Sequence, residues 1–582
     1  MKDSIKALRT RFGFSQIKFA AFLGVSVASL RRWETGEAFP SPMAKEKIEA
    51  VMQLSDEELL KLCSQIKNKE DTVPDEAYIT TFTFDGNSYC AEWPYYVING
   101  PTDQLDFYKK LIELQQEASI DLPKELYFSR LSMLRSVDGI ETSQYKMEHP
   151  NRNAKSWSSD YGTHGVHRYV GRFPSHLIRA LINSFGATSE DTVLDPFCGS
   201  GTTLVEARML GVKTKGIEIS PLSAMISRVK SQFPENGFPV VDLLTELDDF
   251  YTDRWDAFLG TKSIEDFNYD EILNRPGNSV NCFPNIERWF SKDALLGTSI
   301  VVEFILTKLG YVKDFLTIAL SSKMRSIGNV DVDVVRAEYR KTPRENVDVL
   351  KLVKGQICKM SFGIAATVDA CKNTLGPVSN VEIIENSVLT TEIERGSISH
   401  IITSPPYGVE SLSYLRTHLL SFRALESILG VDPYNFGESI IGSEYLDDEI
   451  PDVNKFKVKN VSPTYGSYFN KLLLASDKSL NQKRIIMMMK FFEDMYGVIE
   501  KFSIWLKKNG KVAFIIGNKK IGNSIIPTDK IINEIFGSFG FELKDSIAHK
   551  LKTNNSNSQV PWQDRIIKDE YVLLFQKVKE CE

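Results

Sequence analysis

The sequence predicts a doubly wound α/β domain interrupted by a long helical insertion and preceded by a small all-α domain. Three observations carry this. Apolar runs of strand length near 192, 381 and 398 each end in a polar, Gly- or Pro-containing loop, as strands of an open parallel sheet do at their ligand-binding edge. The interval 235–375 has helical periodicity instead. In the first 55 residues Ile5, Leu8, Phe12, Phe19, Phe22, Leu23, Leu30 and Trp33 fall at spacings of three and four, which gives each short helix one buried face.

At 582 residues the chain is too long for one core. Hydrophobic residues at 42% and charged residues at 25% indicate globular domains rather than disorder. The net charge of -6 offers nucleic acid no general attraction, so any DNA contact must rest on local patches. Seven cysteines without a CxxC pair argue against a zinc cluster or disulfide framework. The N-terminal stretch is charged throughout, and no apolar run approaches the ~20 residues that cross a bilayer. A cytoplasmic protein is expected.

Ser15 is a good N-cap for the segment Gln16–Leu23, which Gly24 ends. A second helix then runs from near Ser26 through Ser29, Arg31, Arg32 and Trp33. Residues 1–50 hold nine Lys and Arg against five acids, a charge opposite in sign to that of the chain. The string SQIKFAAFLGVSVASLRRWETGEAFPSP resembles a phage-repressor helix-turn-helix, whose second helix lies in the DNA major groove. The resemblance implies that Gln16, Ser26, Ser29, Arg31 and Arg32 face DNA, with Phe19, Leu23, Val25 and Leu30 in the core. A helical domain for protein contacts or dimerisation remains the other reading. Domain 1–65 is followed by a charged, Pro-containing linker at 66–77. Residues 78–160 mix strand-like pieces (TTFTF, SYCAEWPYYVI) with a helical stretch at 101–120, and show no chemical motif.

In the domain 161–582, the strand Val193–Leu194 ends at Asp195, followed by the tight loop Gly199-Ser200-Gly201 and a helix from Thr202 to Leu210. A second strand, Thr214–Ile217, ends at Glu218. The glycines let backbone approach a ligand closely, and the amides opening the helix suit an anionic group. An acid closing the second strand is placed to accept from two ribose hydroxyls. DPFCGSGTT resembles motif I of the DNA amino-methyltransferases. That implies a Rossmann-like class I methyltransferase sheet and S-adenosyl-L-methionine as cofactor. Asp195, Phe197, Gly199 and Gly201 would surround its methionine part, with Pro196, Ser200 and Thr202 in the same loop. Glu218 would hold the ribose. HRYVGRFPSHLIRALI (167–182) resembles the motif that precedes motif I, and brings Phe173 and Pro174 near the cofactor. VEIIENS (381–387) reads as a strand ending in a polar pair; Asn386 or Ser387 contacts the cofactor adenine or forms only a turn.

ISHIITSPPYG (398–408) is a strand broken by Ser404-Pro405-Pro406-Tyr407. The prolines lack an N–H and fix φ, so the loop is stiff and presents carbonyls. An exocyclic amino group needs acceptors for its hydrogens, so that its lone pair turns toward the methyl group. Ser404 Oγ and the Pro405 carbonyl supply them, and Tyr407 stacks on a base rotated out of the duplex. An amine rather than a ring carbon attacks, so no nucleophilic cysteine is needed and Cys198 reads as packing. SPPY resembles motif IV of the same family, where Ser at the first position is commoner in N4-cytosine enzymes and Asp or Asn in N6-adenine enzymes. The expectation is therefore site-specific methylation of double-stranded DNA, N4 of cytosine before N6 of adenine. A restriction-modification or related defence system fits, any nuclease or defence partner being a separate chain. An RNA guanine-N2 methyltransferase and a regulator built on a degenerate methyltransferase domain are the competing classes.

The sheet is expected to continue with KVAFIIGNKKIG (511–522) and close with EYVLLFQK (570–577), with helices at 488–507 and 527–540. The helical insertion 235–375 is read as a target-recognition region or a cap; Trp289 and Phe290 are assigned to core. Arg336, Arg340, Lys341 and Arg344 make a basic run. A segment at 455–490 carries Lys455, Lys457, Lys459, Lys471, Lys478, Lys483, Arg484 and Lys490 against one acid, interleaved with Tyr465, Tyr468 and Phe469. It is assigned to the DNA cleft, where phosphate neutralisation makes affinity salt-dependent.

Overall fold

The computed structural model describes Trp33, Glu34 and Ile48, five short strands between 79 and 141, and residues 162–169, 171–235, 239–278, 280, 285–331, 339–340, 342–371, 374–408, 413–431, 440–442, 461–474, 479–521, 524–550 and 569–579. The chain divides into two compact units, Met1–Thr81 and Phe82–Glu582. In the first, Trp33, Glu34 and Ile48 are helical and buried. Gln16, Ser26, Ser29, Arg31 and Arg32 lie outside the described residues, as do the linker at 66–77 and the helix expected at 101–120. The strands Ile79–Phe84, Asn87–Glu92 and Val97–Asn99 fall on the TTFTF and SYCAEWPYYVI pieces.

The second unit is built on a seven-stranded sheet. Its strands are β1 (Thr192–Asp195), β2 (Lys213–Glu218), β3 (Val381–Glu385), β4 (Ile398–Thr403), β5 (Leu506–Gly517), β6 (Phe541–Lys550) and β7 (Asp569–Lys577). The spatial order is β6-β7-β5-β4-β1-β2-β3. The five strands from β5 to β3 run parallel. β7 enters antiparallel between β5 and β6. This is the Rossmann-like sheet that the motifs imply. The order turns between β1 and β4, so a crevice opens outside their carboxyl ends, where open α/β sheets bind ligands.

Side-chain alternation divides the sheet's two faces. Leu194, Ile401, Phe514 and Phe575 belong to one core; their neighbours Val193, Ile402, Ile515 and Leu574 belong to the other. Strands buried on both faces must be apolar at successive positions, which is why ISHIIT is buried along its whole length. The longer helices among the described residues of this unit are α1 (Ser175–Phe185), α2 (Thr202–Met209), α3 (Pro221–Ser231), α4 (Val240–Leu259), α5 (Lys292–Leu306), α6 (Gly310–Ile327), α7 (Val349–Ala370), α8 (Ser413–Ala424), α9 (Pro463–Leu474), α10 (Ser479–Trp505) and α11 (Thr528–Ser538). α1 supplies Leu177, Leu181 and Phe185 to one face, and α10 and α11 cover the other.

The insertion is helical as expected. α4 to α7 share a core that takes in Trp289 and Phe290, and that core continues into Ile226 and Val229 of α3 and Leu420 and Phe422 of α8. Two strand limits differ from expectation. β5 starts at Leu506, immediately after α10, and stops at Gly517. The expected continuation is instead a separate hairpin, Lys520–Ile521 against Ser524–Ile525. No helix among the described residues is long and apolar enough to cross a membrane.

Candidate active site

The loop after β1 is shaped by Asp195. Its carboxylate accepts from Thr203 Oγ1 and Thr403 Oγ1, each at 2.7 Å, and from the Phe197 N–H at 3.2 Å. One buried acid therefore joins the end of β1, the first turn of α2 and the end of β4. Burial pushes its carboxyl up to about 6, against the pull of these three donors. Gly199 and Gly201 both take positive φ, 53° and 76°. At Gly201 a Cβ would lie 2.8 Å from Ser227 Oγ of α3, so glycine is required there twice over. Ser227 Oγ also donates to the Gly199 carbonyl at 2.8 Å, pinning the loop to α3.

Glu218, at the end of β2, closes the loop from the other side. Its Oε2 accepts from the Gly199 N–H at 2.9 Å and its Oε1 from the Ser220 N–H at 2.8 Å. A carboxylate offers about four lone-pair sites, so each oxygen retains one for a ligand hydroxyl. Burial raises the Glu218 carboxyl to about 7, the Ser220 and Gly199 donors oppose this, and the Asp195 charge adds to it.

These loops, the end of β3 and the end of β4 line one cavity. Phe173, Asp195, Pro196, Phe197, Gly199, Ser200, Thr202, Glu218, Asn386, Ser387, Ser404 and Pro406 all face it. Gly201, Pro405 and Tyr407 belong to the same loops but not to that lining. The Asn386 side chain is a turn-former: its Oδ1 accepts from the Ser387 N–H and from Thr390 Oγ1. Cys198 is buried against Leu204 and Val381, and burial pushes its thiol well up, the setting of a packing residue. Among the described residues no cluster of His, Cys, Asp and Glu could hold a metal ion.

Several residues at the site were not singled out in the sequence, although Thr203, Thr403, Tyr169 and Arg172 lie within its motif strings. Thr203 and Thr403 hold Asp195. Tyr169, Arg172 and Ser223 line the cavity, as do His418 and Phe422 of α8. The His418 ring stacks on Tyr169 at 5.4 Å, and burial lowers its pKa to about 3, so it is neutral. Glu570 of β7 accepts from the Tyr407 hydroxyl at 2.8 Å. Beneath the site, Glu206 pairs with Arg179 at 3.0 Å and His164 at 2.7 Å, all three buried.

The basic segment 455–490 needs a correction. Tyr465 and Phe469 are fully buried in the core shared by α9 and α10. They lie four residues apart on the inner face of α9, so they are not interleaved with lysines on a DNA-facing surface. Lys483 and Arg484 are half-buried on α10, and Lys490 pairs with Asp494. Lys455, Lys457 and Lys459 lie outside the described residues. In the other basic run Arg340 is exposed, whereas Arg344 donates to the Gly328 carbonyl at 3.1 Å and serves the fold.

The sheet is consistent with a Rossmann-like methyltransferase fold. A DNA methylase family profile for N6 and N4 methylation matches residues 45–227, and a helix-turn-helix profile matches residues 5–59. The chain is 26% identical over 467 residues to the Type II methyltransferase M.BsoBI of Geobacillus stearothermophilus, covering 73% of this chain and 88% of that protein. It is 25% identical over 422 residues to the Type II methyltransferase M.MvaI of Kocuria varians, covering 68% and 86%. A 51-residue stretch, 9% of this chain and 15% of the other, is 41% identical to a tRNA (guanine(10)-N2)-dimethyltransferase of Methanothermobacter thermautotrophicus. The chain is thus a relative of the DNA amino-methyltransferases, with a helix-turn-helix segment at its N-terminal end.

Proposed function

We propose that this protein transfers a methyl group from S-adenosyl-L-methionine to an exocyclic amino group of a base flipped out of double-stranded DNA, N4 of cytosine before N6 of adenine. The single observation that carries the reading is that Glu218, Asp195, Ser404 and Pro406 border one cavity. The cavity's donors and acceptors suit this cofactor. Glu218 has acceptor capacity left for two ribose hydroxyls, the Gly199 and Gly201 turns leave a cradle without Cβ atoms, and two acids favour a cationic ligand. When bound, the cofactor supplies an electrophilic methyl group. Ser404 Oγ and the Pro405 carbonyl accept the hydrogens of the amino group and turn its lone pair toward that methyl. Tyr407 supports the base by stacking. The preference for cytosine rests on serine at the first position of SPPY.

Residues 1–65, read as a DNA-binding module, locate sites for methylation or regulate the protein's own operon. Lys455, Lys457, Lys459, Lys483 and Arg484 are kept as phosphate contacts, now without Tyr465 and Phe469 as aromatic partners. A restriction-modification or related defence setting fits the Type II relatives. The short tRNA-enzyme match favours one second reading, methylation of RNA. Presenting duplex DNA and tRNA to the protein in separate methyl-transfer assays tests both. Label in DNA alone supports the proposal; label in tRNA alone replaces it with the second reading.

A further inference from the structure

We propose that Glu570 is the proton outlet of the methyl-transfer site, reached from Ser404 through the Tyr407 phenol. The inference deepens the reading above and rests on it for the identity of the reaction. It rests on geometry for the path. β7 is antiparallel to the five parallel strands, so its first residues arrive at their carboxyl edge. Glu570 there pairs with Gly517, the last residue of β5. That places a carboxylate from the far end of the sequence against the catalytic loop. Tyr407 donates its hydroxyl proton to Glu570 Oε1 at 2.8 Å, and Ser404 Oγ donates to the Tyr407 oxygen across a longer 3.4 Å. All three residues are half-buried.

The chemistry needs such a path. The amino nitrogen supplies the electron pair of the new N–CH3 bond, and the pair of the broken C–S bond stays on sulfur. The nitrogen is then cationic and must release one proton. Ser404 Oγ accepts it while passing its own proton to the Tyr407 oxygen, and Tyr407 passes its phenolic proton to Glu570. The nitrogen, Ser404 and Tyr407 all end neutral, and the protonated Glu570 releases its proton to water from its half-exposed position. The same bond to Glu570 fixes the Tyr407 ring that stacks on the base, so Glu570 acts through Tyr407 as a positioning residue as well.

Glu570→Gln keeps an acceptor for Tyr407 but cannot take a proton, and Tyr407→Phe keeps the ring but cuts the path. Each should lower the single-turnover methylation rate at least tenfold, given that positioned proton transfer contributes about 10²–10⁴-fold. The dissociation constant for S-adenosylhomocysteine should not change. The double variant should be no slower than either single variant, because both cut one path. Glu570→Asp should recover part of the rate. A second readout needs no activity: the ¹³Cζ resonance of Tyr407, assigned by its absence from Tyr407→Phe, is titrated in full-length protein. An anionic acceptor holds the phenolic proton, so the titration midpoint should fall in Glu570→Gln. A wild-type protein that methylates no DNA would sink the functional reading, and the Tyr407 titration alone would then decide whether the link exists. An unchanged midpoint, or a full rate in Glu570→Gln, overturns the proposal.

Discussion

If Glu218 holds the cofactor ribose as proposed, cofactor binding should depend on pH in one direction. Its carboxyl is raised to about 7 by burial. Only the ionised form has lone pairs to spare for two hydroxyls once Gly199 and Ser220 have taken theirs. An acid with a raised pKa is protonated below that value, so affinity is present above pH 7 and is lost as the pH falls through it. At pH 6 about one-tenth of the carboxyl is ionised, and the dissociation constant should be roughly tenfold weaker than at pH 8. Asp195, raised to about 6, adds a further loss below that pH as its bonds to Thr203 and Thr403 change character. Glu218→Gln leaves one neutral acceptor oxygen and turns the other acceptor into an N–H donor facing a backbone N–H. At about 1.5–3 kcal/mol for a hydrogen bond to a charged group, affinity should fall by roughly 10- to 150-fold at pH 8, with little dependence left between pH 6 and 8. Calorimetric titration with S-adenosylhomocysteine across that range is the assay. A flat dissociation constant for wild type, or wild-type affinity in Glu218→Gln, would refute the role given to this carboxylate.

Gly201→Ala should cost about 1–2 kcal/mol for the left-handed backbone alone, plus displacement of Ser227, which a Cβ would meet at 2.8 Å; denaturant midpoints and cofactor titration should both register it. Glu206→Ala removes the carboxylate paired with the buried Arg179 guanidinium and should destabilise by about 3–5 kcal/mol, read by urea unfolding of the second unit. Ser404→Ala removes one acceptor at the reacting amine and should lower the single-turnover methylation rate about 10²-fold or more while leaving S-adenosylhomocysteine affinity within twofold.

The parts of this protein that were legible in its sequence are those where chemistry forces unusual residues into a short window. Asp195 to Thr202 and Ser404 to Tyr407 announce themselves because backbone approach requires glycine and a stiff loop requires proline. Phe173 was placed by the resemblance of residues 167–182 to a family motif and Asn386 was left open between a ligand contact and a turn; both line the cavity. Residues that act from a distance gave no such signal. Thr403 reads as the last residue of an apolar run, and its bond to Asp195 spans more than two hundred positions. Glu570 is one of two acids that open an apolar strand, and only antiparallel insertion of β7 brings it to the carboxyl edge of the parallel strands. Tyr465 and Phe469 were misjudged because neighbouring lysines drew attention, although their four-residue separation is the spacing of a buried helical face.

The central claim is methyl transfer to an amino group in DNA. Full-length protein incubated with methyl-labelled S-adenosylmethionine and unmethylated bacterial genomic DNA, followed by digestion to nucleosides, tests it most directly. The account predicts label in N4-methylcytosine, lost in Ser404→Ala. Label in N6-methyladenine would correct the base alone, whereas an unlabelled DNA digest would contradict the claim.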